Sequence, residues 1–438
     1  MRNFKGVVAV LGVGLALGIT YVTPHVEKVA EVNQTFPPSV CPGLSTNGST
    51  YAHLPSSKIK VRSITTKSIK FIAARARDFH VIGSALLVSG NPSTSVTTSS
   101  FTGDWFGSAI CSVGGSDQWF VGGSAGITST SRLDLVNSGL SDAIVELTIY
   151  TSKPTPIKST ISVKANSDKA ISLDALAPGE SSLVIHALTR SGRVSSFLFD
   201  QQHKGLKSIG MDYVNPILTP STTLVIPAVT NSPGKNNSIS HFLRILAPGN
   251  LDASLKVTIH SAEGDFTPLG FDQRSLSHGR VFDLLLPSLA ESTPFALELT
   301  SDQPIVGALR SALTSTSNSD FAWATPAPRL GVITMNLGGT TPTFVFSGES
   351  IRVAIRWTLP SGKVGTATAV GSQVATWKPM TGINQVTLTS EGTITSAGLI
   401  FLNPSPANFG LSYLPVMAGS EIESATMPVT DAHVISRG

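Results

Sequence analysis

The sequence predicts an all-β chain, with tandem Ig-like β-sandwich repeats standing behind one N-terminal transmembrane helix. Three observations carry that expectation: short alternating runs of β-branched residues, an Asp-aromatic step recurring at a constant interval, and an apolar leader. The alternation is cleanest in Leu255-Lys256-Val257-Thr258-Ile259 and in Ile351-Arg352-Val353-Ala354-Ile355-Arg356-Trp357. Successive strand side chains point to opposite faces, so a period of two with branched and aromatic residues marks half-buried strands. Turn chemistry ends these runs, as at Asn137-Ser138-Gly139 after Leu133-Asp134-Leu135-Val136, and near Pro154 after Ile144–Tyr150. The sequence shows no long amphipathic helical pattern beyond the leader.

The leader opens with Arg2 and Lys5 and continues as a charge-free, 17-residue run from Gly6 to Val22. That length sits near the lower limit of about 17 residues for a spanning helix. Residues 1–25 are therefore expected to be a cytoplasmic stub and an uncleaved anchor, with residues 6–22 in the membrane. The positive-inside bias then places the C-terminal bulk outside the cell. The alternative is a secreted protein released by signal cleavage, although Thr23-Pro24-His25-Val26-Glu27 lacks the small-residue cleavage pattern.

Residues 26–58, with Pro37-Pro38 and Pro55-Ser56-Ser57, are expected to be a stalk or linker. Residues 59–103 form an N-terminal β segment. Three sandwich repeats follow, over 104–211, 212–319 and 320–438. Their boundaries come from Asp104-Trp105, Asp212-Tyr213 and Asp320-Phe321, successive steps lying 108 residues apart. An interval near 108 is too long for a solenoid repeat of about 20–50 residues. It matches one β-sandwich of about 100 residues. At each repeat junction the Asp is expected to accept backbone N–H bonds in a turn while the aromatic plugs the seam. A calcium role at these aspartates would need several further oxygen ligands.

Charged residues make up only 13% of the chain, against about 25% in typical domains, so the surface must be rich in Ser, Thr, Asn and Gly. Beyond Arg2 and Lys5 the chain holds 29 basic and 27 acidic residues. That near-neutral balance argues against nucleic acid, whose binding requires a concentrated basic patch. Cys41 and Cys111 are the two cysteines. In an oxidising compartment they read as one disulfide, closing a loop that stabilises by about 4 kcal/mol; two unpaired buried thiols are the alternative. Their spacing excludes a CxxC redox or zinc role.

The search for chemistry yields no catalytic, cofactor or metal set. Gly122-Gly123-Ser124-Ala125-Gly126 matches G-x-S-x-G, but a nucleophile elbow needs a helix after the serine. Ile127-Thr128-Ser129 favours a turn or strand instead, and a serine hydrolase using Ser124 stays a remote alternative. Nine histidines show no HExxH pattern and no His-x-His pair, and His80 near Asp78 reads as a surface histidine. Trp105, Trp119, Trp323, Trp357 and Trp377 could stack on sugars or fill sandwich cores, and Trp105 and Trp119 flank Cys111.

Four motifs carry a family resemblance: Val40-Cys41-Pro42-Gly43, Trp119-Phe120-Val121-Gly122-Gly123, Leu135-Val136-Asn137-Ser138-Gly139 and Leu173-Asp174-Ala175-Leu176-Ala177-Pro178-Gly179. With them the chain resembles an uncharacterised family of actinobacterial membrane-anchored secreted proteins, known as a domain of unknown function. The third repeat departs from it, lacking a clear Asn/Ala-Pro-Gly turn. The resemblance implies an extracytoplasmic, Ig-like or related β architecture and supplies no activity. The expected function is a non-enzymatic scaffold of the cell envelope, structural or protein-binding. A cell-wall or polysaccharide-binding module is the alternative. The expected partners are the membrane and an envelope protein or wall glycan, without nucleic acid or cofactor.

Overall fold

The computed structural model describes residues 37–419 except 44–47, 56–57, 65–68, 90–92, 102–104, 232–236, 288–293, 393–394 and 406–408. The expected anchor at residues 6–22 lies outside the described residues, as does Asp104. No helix among the described residues is long and apolar enough to cross a membrane. The body is almost entirely β, with one helical turn at Leu173–Leu176.

The alternating runs become strands with alternating burial. Ala253–Ser261 buries Ala253, Leu255, Val257 and Ile259 and turns Ser254 and Lys256 outward. Ala143–Tyr150 follows the same rule. Two four-stranded antiparallel sheets form the first sandwich. One runs Ser167–Ser172, Arg132–Asn137, Val194–Lys204, Lys207–Val214; the other runs Ile157–Val163, Ala143–Tyr150, Val184–Ser191, Asp117–Val121. Phe120, Leu133, Leu135, Val145, Leu147, Ile185 and Leu198 fill the space between them.

The second core is organised by one 20-residue strand, Phe295–Thr314. Its first half pairs with Ser221–Val229 and Ala253–Ser261, and its second half with Ser238–Leu246 and Ser319–Ala324. One strand thus serves both layers, with Leu243, Ile245, Val257, Leu297 and Leu309 between them. In the third region Thr343–Thr358 pairs with Val364–Trp377, Gln385–Ser390 and Ser396–Asn403. Val332–Asn336 then pairs in parallel with Thr94–Phe101 from the N-terminal part. The early and late parts of the chain therefore share a sheet.

Two expectations about organisation need correction. The stretch expected as stalk contains the strands Ser39–Cys41 and Gly48–His53, and Val40, Cys41, Ala52 and Leu54 are fully buried. Low hydrophobicity misled the reading, because the short strands lean on neighbours far along the chain. The boundaries drawn at 211/212 and 319/320 fall inside the strands Lys207–Val214 and Ser319–Ala324.

A different recurrence organises the molecule. Four β-hairpins begin at residues 94, 194, 295 and 396 and end in the strands Trp105–Ile110, Lys207–Val214, Ser319–Ala324 and Gly410–Pro415. Each of these closing strands packs against two of the others. They form a ring at the centre, onto which the three β regions converge.

Candidate functional site

The ring is where most sequence-predicted residues meet, and it is polar at its heart. Asp212 and Asp320 sit within strands, fully buried, not in junction turns. Asp212 Oδ2 accepts the Trp323 N–H at 2.8 Å, and its Oδ1 accepts the Ser412 hydroxyl at 2.8 Å. Ser412 Oγ lies 2.6 Å from Ser108 Oγ. Asp320 accepts N–H bonds from Met211 at 3.3 Å and Leu411 at 2.8 Å. Each carboxyl therefore joins its own closing strand to others in the ring. Burial pushes both carboxyls well above the usual carboxylate range, against the pull of their N–H and O–H donors. Ser412-Tyr413 occupies the corresponding place in the fourth closing strand, with serine replacing the acid, so a search for Asp-aromatic steps passes over it.

Two of the aromatic partners lie in the ring. Tyr213 and Phe321 are buried, Tyr213 edge-on to Phe199 at 5.3 Å and Phe321 under the Arg310 guanidinium at 4.3 Å. Trp105 opens its strand. Gly210 shows how tight the packing is. It has φ +141°, and a Cβ there would fall 2.5 Å from Asp320 Oδ1, so only glycine fits.

Sequence reasoning missed the second tier of this seam. Asp200, fully buried, accepts from Ser131 Oγ at 2.5 Å and Trp323 Nε1 at 2.9 Å. Arg244 holds Asp283 through two bonds, 2.7 and 2.8 Å, lies over Trp323 at 4.9 Å, and donates to the Gly123 carbonyl at 2.6 Å. Asp283 is held below the usual carboxylate range by Arg244 and Ser182 in spite of its burial. The Trp-Phe-Val-Gly-Gly motif is thus a docking point for the second β region. The only available signal was Arg244 among apolar neighbours in Phe242-Leu243-Arg244-Ile245-Leu246.

Ser124 stands at the end of that motif without the parts of a nucleophile elbow. Its Oγ accepts the Gly126 N–H at 3.2 Å, and the chain turns into the strand Arg132–Asn137 without a helix. A hydroxyl–imidazole–carboxylate series does occur elsewhere. His53 Nδ1 lies 2.8 Å from Asp78 Oδ1, and its Nε2 lies 2.9 Å from Thr98 Oγ1. Such a series is the order of a hydrolase relay. Here the Gly338 turn covers the imidazole: a Cβ at Gly338, with φ +59°, would fall 1.9 Å from His53 Nδ1. The Gly338 and Gly339 N–H groups are bonded to Asn384 and Ile383 carbonyls, which leaves neither to receive an oxyanion. The three side chains fasten three adjacent strands. His80 stacks on Tyr51 instead, at 5.1 Å.

Cys41 and Cys111 form a disulfide, packed by Ala52, Leu54, Val61, Val81, Leu86 and Val88. The expected Trp119 flank does not reach it; Trp119 stacks on His186 at 4.0 Å. Trp119 and Trp323 are buried, and Trp357 and Trp377 are half-buried against the third core. Among the described residues no group of three or more His, Cys, Asp or Glu converges as metal ligands do. Beside the ring an open groove of about 610 Å³ runs between Ile217–Val225 and Pro326–Arg329, with Glu298 and Met417 on its walls.

Together, the two-layered cores and the buried ring define an all-β protein built of sandwich-type units. The chain belongs to the Family of unknown function (DUF5719), which it matches over residues 89–375. No curated protein matches it. Among solved structures it is similar to that of Thermotoga maritima 1070, at 16% identity over 24% of this chain and 94% of that one, with a TM-score of 0.22. It is also similar to a tetra-tandem repeat from the extending region of a large adhesion protein, at 10% identity over 86% and 93%, with a TM-score of 0.11. At such TM-scores neither likeness carries an argument about fold or function.

Proposed function

We propose that the chain is a non-enzymatic, membrane-anchored protein of the cell envelope, whose extracytoplasmic β body is a structural or protein-interaction scaffold. The observation that carries this reading is the ring, which ties the β regions through buried carboxyl bridges into a rigid block. Buried polar bridges of this kind favour one fixed arrangement over a flexible string of beads. The Cys41–Cys111 disulfide supports the placement, because such bonds persist in oxidising compartments. Single-pass anchoring through residues 6–22 supplies the attachment. The test is cross-linking of the chain in living cells combined with protease shaving. The reading expects one protein partner captured repeatedly and a membrane-held N-terminal stub after shaving. Protection of the whole chain until lysis contradicts it.

A wall-glycan module is the second reading, favoured by the groove, which presents the hydroxyl residues Thr219, Ser221, Thr222 and Thr223 beside apolar walls. It expects co-sedimentation with cell-wall material, weakened by Trp357→Ala or by changes in the groove. The hydrolase reading expects fluorophosphonate labelling that Ser124→Ala abolishes.

A further inference from the structure

Three loops far apart in sequence are bonded into one tip. The His203 N–H donates to the Thr128 carbonyl at 2.7 Å, and the Thr130 N–H donates to the Gln201 carbonyl at 2.9 Å. His203 Nε2 lies 3.1 Å from Thr130 Oγ1, and Lys207 Nζ donates to the Ser317 carbonyl at 2.6 Å. This joins the loop 126–131, the hairpin turn 203–207 and the loop 315–318.

At this tip the usual placement of side chains is inverted. Ile127 and Leu206 are entirely exposed, at 103% and 106% of their reference areas. Ile127 immediately precedes Thr128, which is bonded to His203, and Lys204 and the two-residue turn Gly205-Leu206 follow His203 directly. A solitary exposed leucine needs no explanation. Two on loops bonded to each other do, when the exposed charges those loops carry are of one sign. Residues 122–133, 201–209 and 314–319 contain Lys204, Lys207, Arg132 and His203 and no aspartate or glutamate. Of these, Arg132 is turned to Asp134. The carboxylates bonded nearest are engaged elsewhere: Asp200 is buried and accepts from Ser131 Oγ, Asp174 accepts from Ser172 Oγ, and Glu180, whose carbonyl accepts the Ala125 N–H, pairs with Lys153 at 2.5 Å. Leu269, 98% exposed, makes the contrast, because its turn carries Asp265 and Asp272.

We propose that this tip is a lipid-contacting surface that seats the β body on an anionic bilayer. Ile127 and Leu206 enter the interface between headgroups and acyl chains, and Lys204 and Lys207 meet the lipid phosphates. Aliphatic side chains beside lysines are the combination that anionic membranes attract, by apolar burial and surface potential together. The inference does not depend on the leader being an anchor.

The test uses the full chain with Leu206→Cys, labelled with an environment-sensitive fluorophore. The native cysteines are joined to each other, so only the introduced thiol reacts. Leu269→Cys is the control, and both sites are fully exposed, so neither substitution threatens folding. The labelled chains are mixed with phosphatidylcholine vesicles carrying brominated acyl chains, with and without phosphatidylglycerol. Quenching at residue 206 should exceed that at residue 269 by about fivefold in phosphatidylglycerol vesicles. Ile127→Asn or Lys204→Gln with Lys207→Gln should remove most of that difference. Equal quenching at the two sites overturns the proposal. Flotation of the chain with vesicles reads the leader separately: a chain that floats while residue 206 stays unquenched overturns the tip and leaves the anchor reading standing.

Discussion

The ring and the tip belong to the same hairpins and use them in opposite ways. Lys207–Val214 buries Asp212 at one end, while the turn that feeds it exposes Leu206 completely at the other. At the ring, carboxyls are inside and satisfied by N–H and O–H donors from neighbouring strands. At the tip, aliphatic groups are outside, with nothing of the protein covering them. Burial of a polar group costs free energy unless its bonds are replaced, so the ring holds only while every donor and acceptor is matched. Exposed aliphatics contribute nothing to folding. The ring is therefore a region of stability, and the tip is a region free to serve binding.

The sharpest way to break this contrast is substitution at the ring. Asp320→Ala leaves the Met211 and Leu411 N–H groups without their acceptor, and Asp212→Ala does the same to Trp323. Each should cost about 3–5 kcal/mol in urea unfolding, because each strands more than one buried donor. Asp320→Asn keeps an acceptor without the charge that burial disfavours, and should cost clearly less. Removing the disulfide by Cys41→Ala with Cys111→Ala comes next. It should cost about 4 kcal/mol in the chain-entropy model for a 70-residue loop, measured against the oxidised wild type.

Titration separates buried groups of opposite sense. The Asp134 carboxyl is pushed up to about 6 by burial, in spite of Arg132 beside it. A raised folded-state value means its contribution is full below about pH 4 and is lost as pH rises through 6. Asp212 and Asp320 act in that direction too. His241, buried among Phe295, Ser311 and Asn231, is pushed down to about 4. Its contribution is full above about 6.5 and is lost as pH falls through 4. Each of these two shifts moves stability by about 3 kcal/mol across its window. Relative to wild type, Asp134→Asn should remove a decline between pH 4 and 6, and His241→Gln should remove a rise between pH 4 and 6.5. Unfolding free energies across that range check both. At the small end, Leu206→Asn and Ile127→Asn should change stability by less than about 0.5 kcal/mol.

How much of this was written in the sequence differs from element to element. Period-two runs such as Leu255–Ile259 announced their strands, because alternation is a local property. The Asp-aromatic steps drew attention to those positions. They did not announce mid-strand burial, since aspartate is more common in turns and only its partners from distant strands make burial tolerable. The ring depends on pairings such as Asp320 with Leu411, 91 residues apart, which one sequence cannot display. Cys41 and Cys111 were legible as a pair because there were only two. Ser39–Cys41 and Gly48–His53 were misjudged as stalk because short polar strands lack a pattern of their own. Arg244 showed only as a charge in an apolar run, and its role needed Asp283, Trp323 and the Gly123 carbonyl in view.

The central claim is that the closing strands form one cooperative ring. Hydrogen–deuterium exchange of the full chain, followed by mass spectrometry on peptides covering 105–110, 207–214, 319–324 and 410–415, tests it most directly. One ring predicts that these four segments are the slowest to exchange and lose protection together, with Asp320→Ala accelerating all four at once. Four separate rates, each shared with its own neighbouring sheet and unmoved elsewhere by Asp320→Ala, would contradict it and restore a string of independent sandwiches.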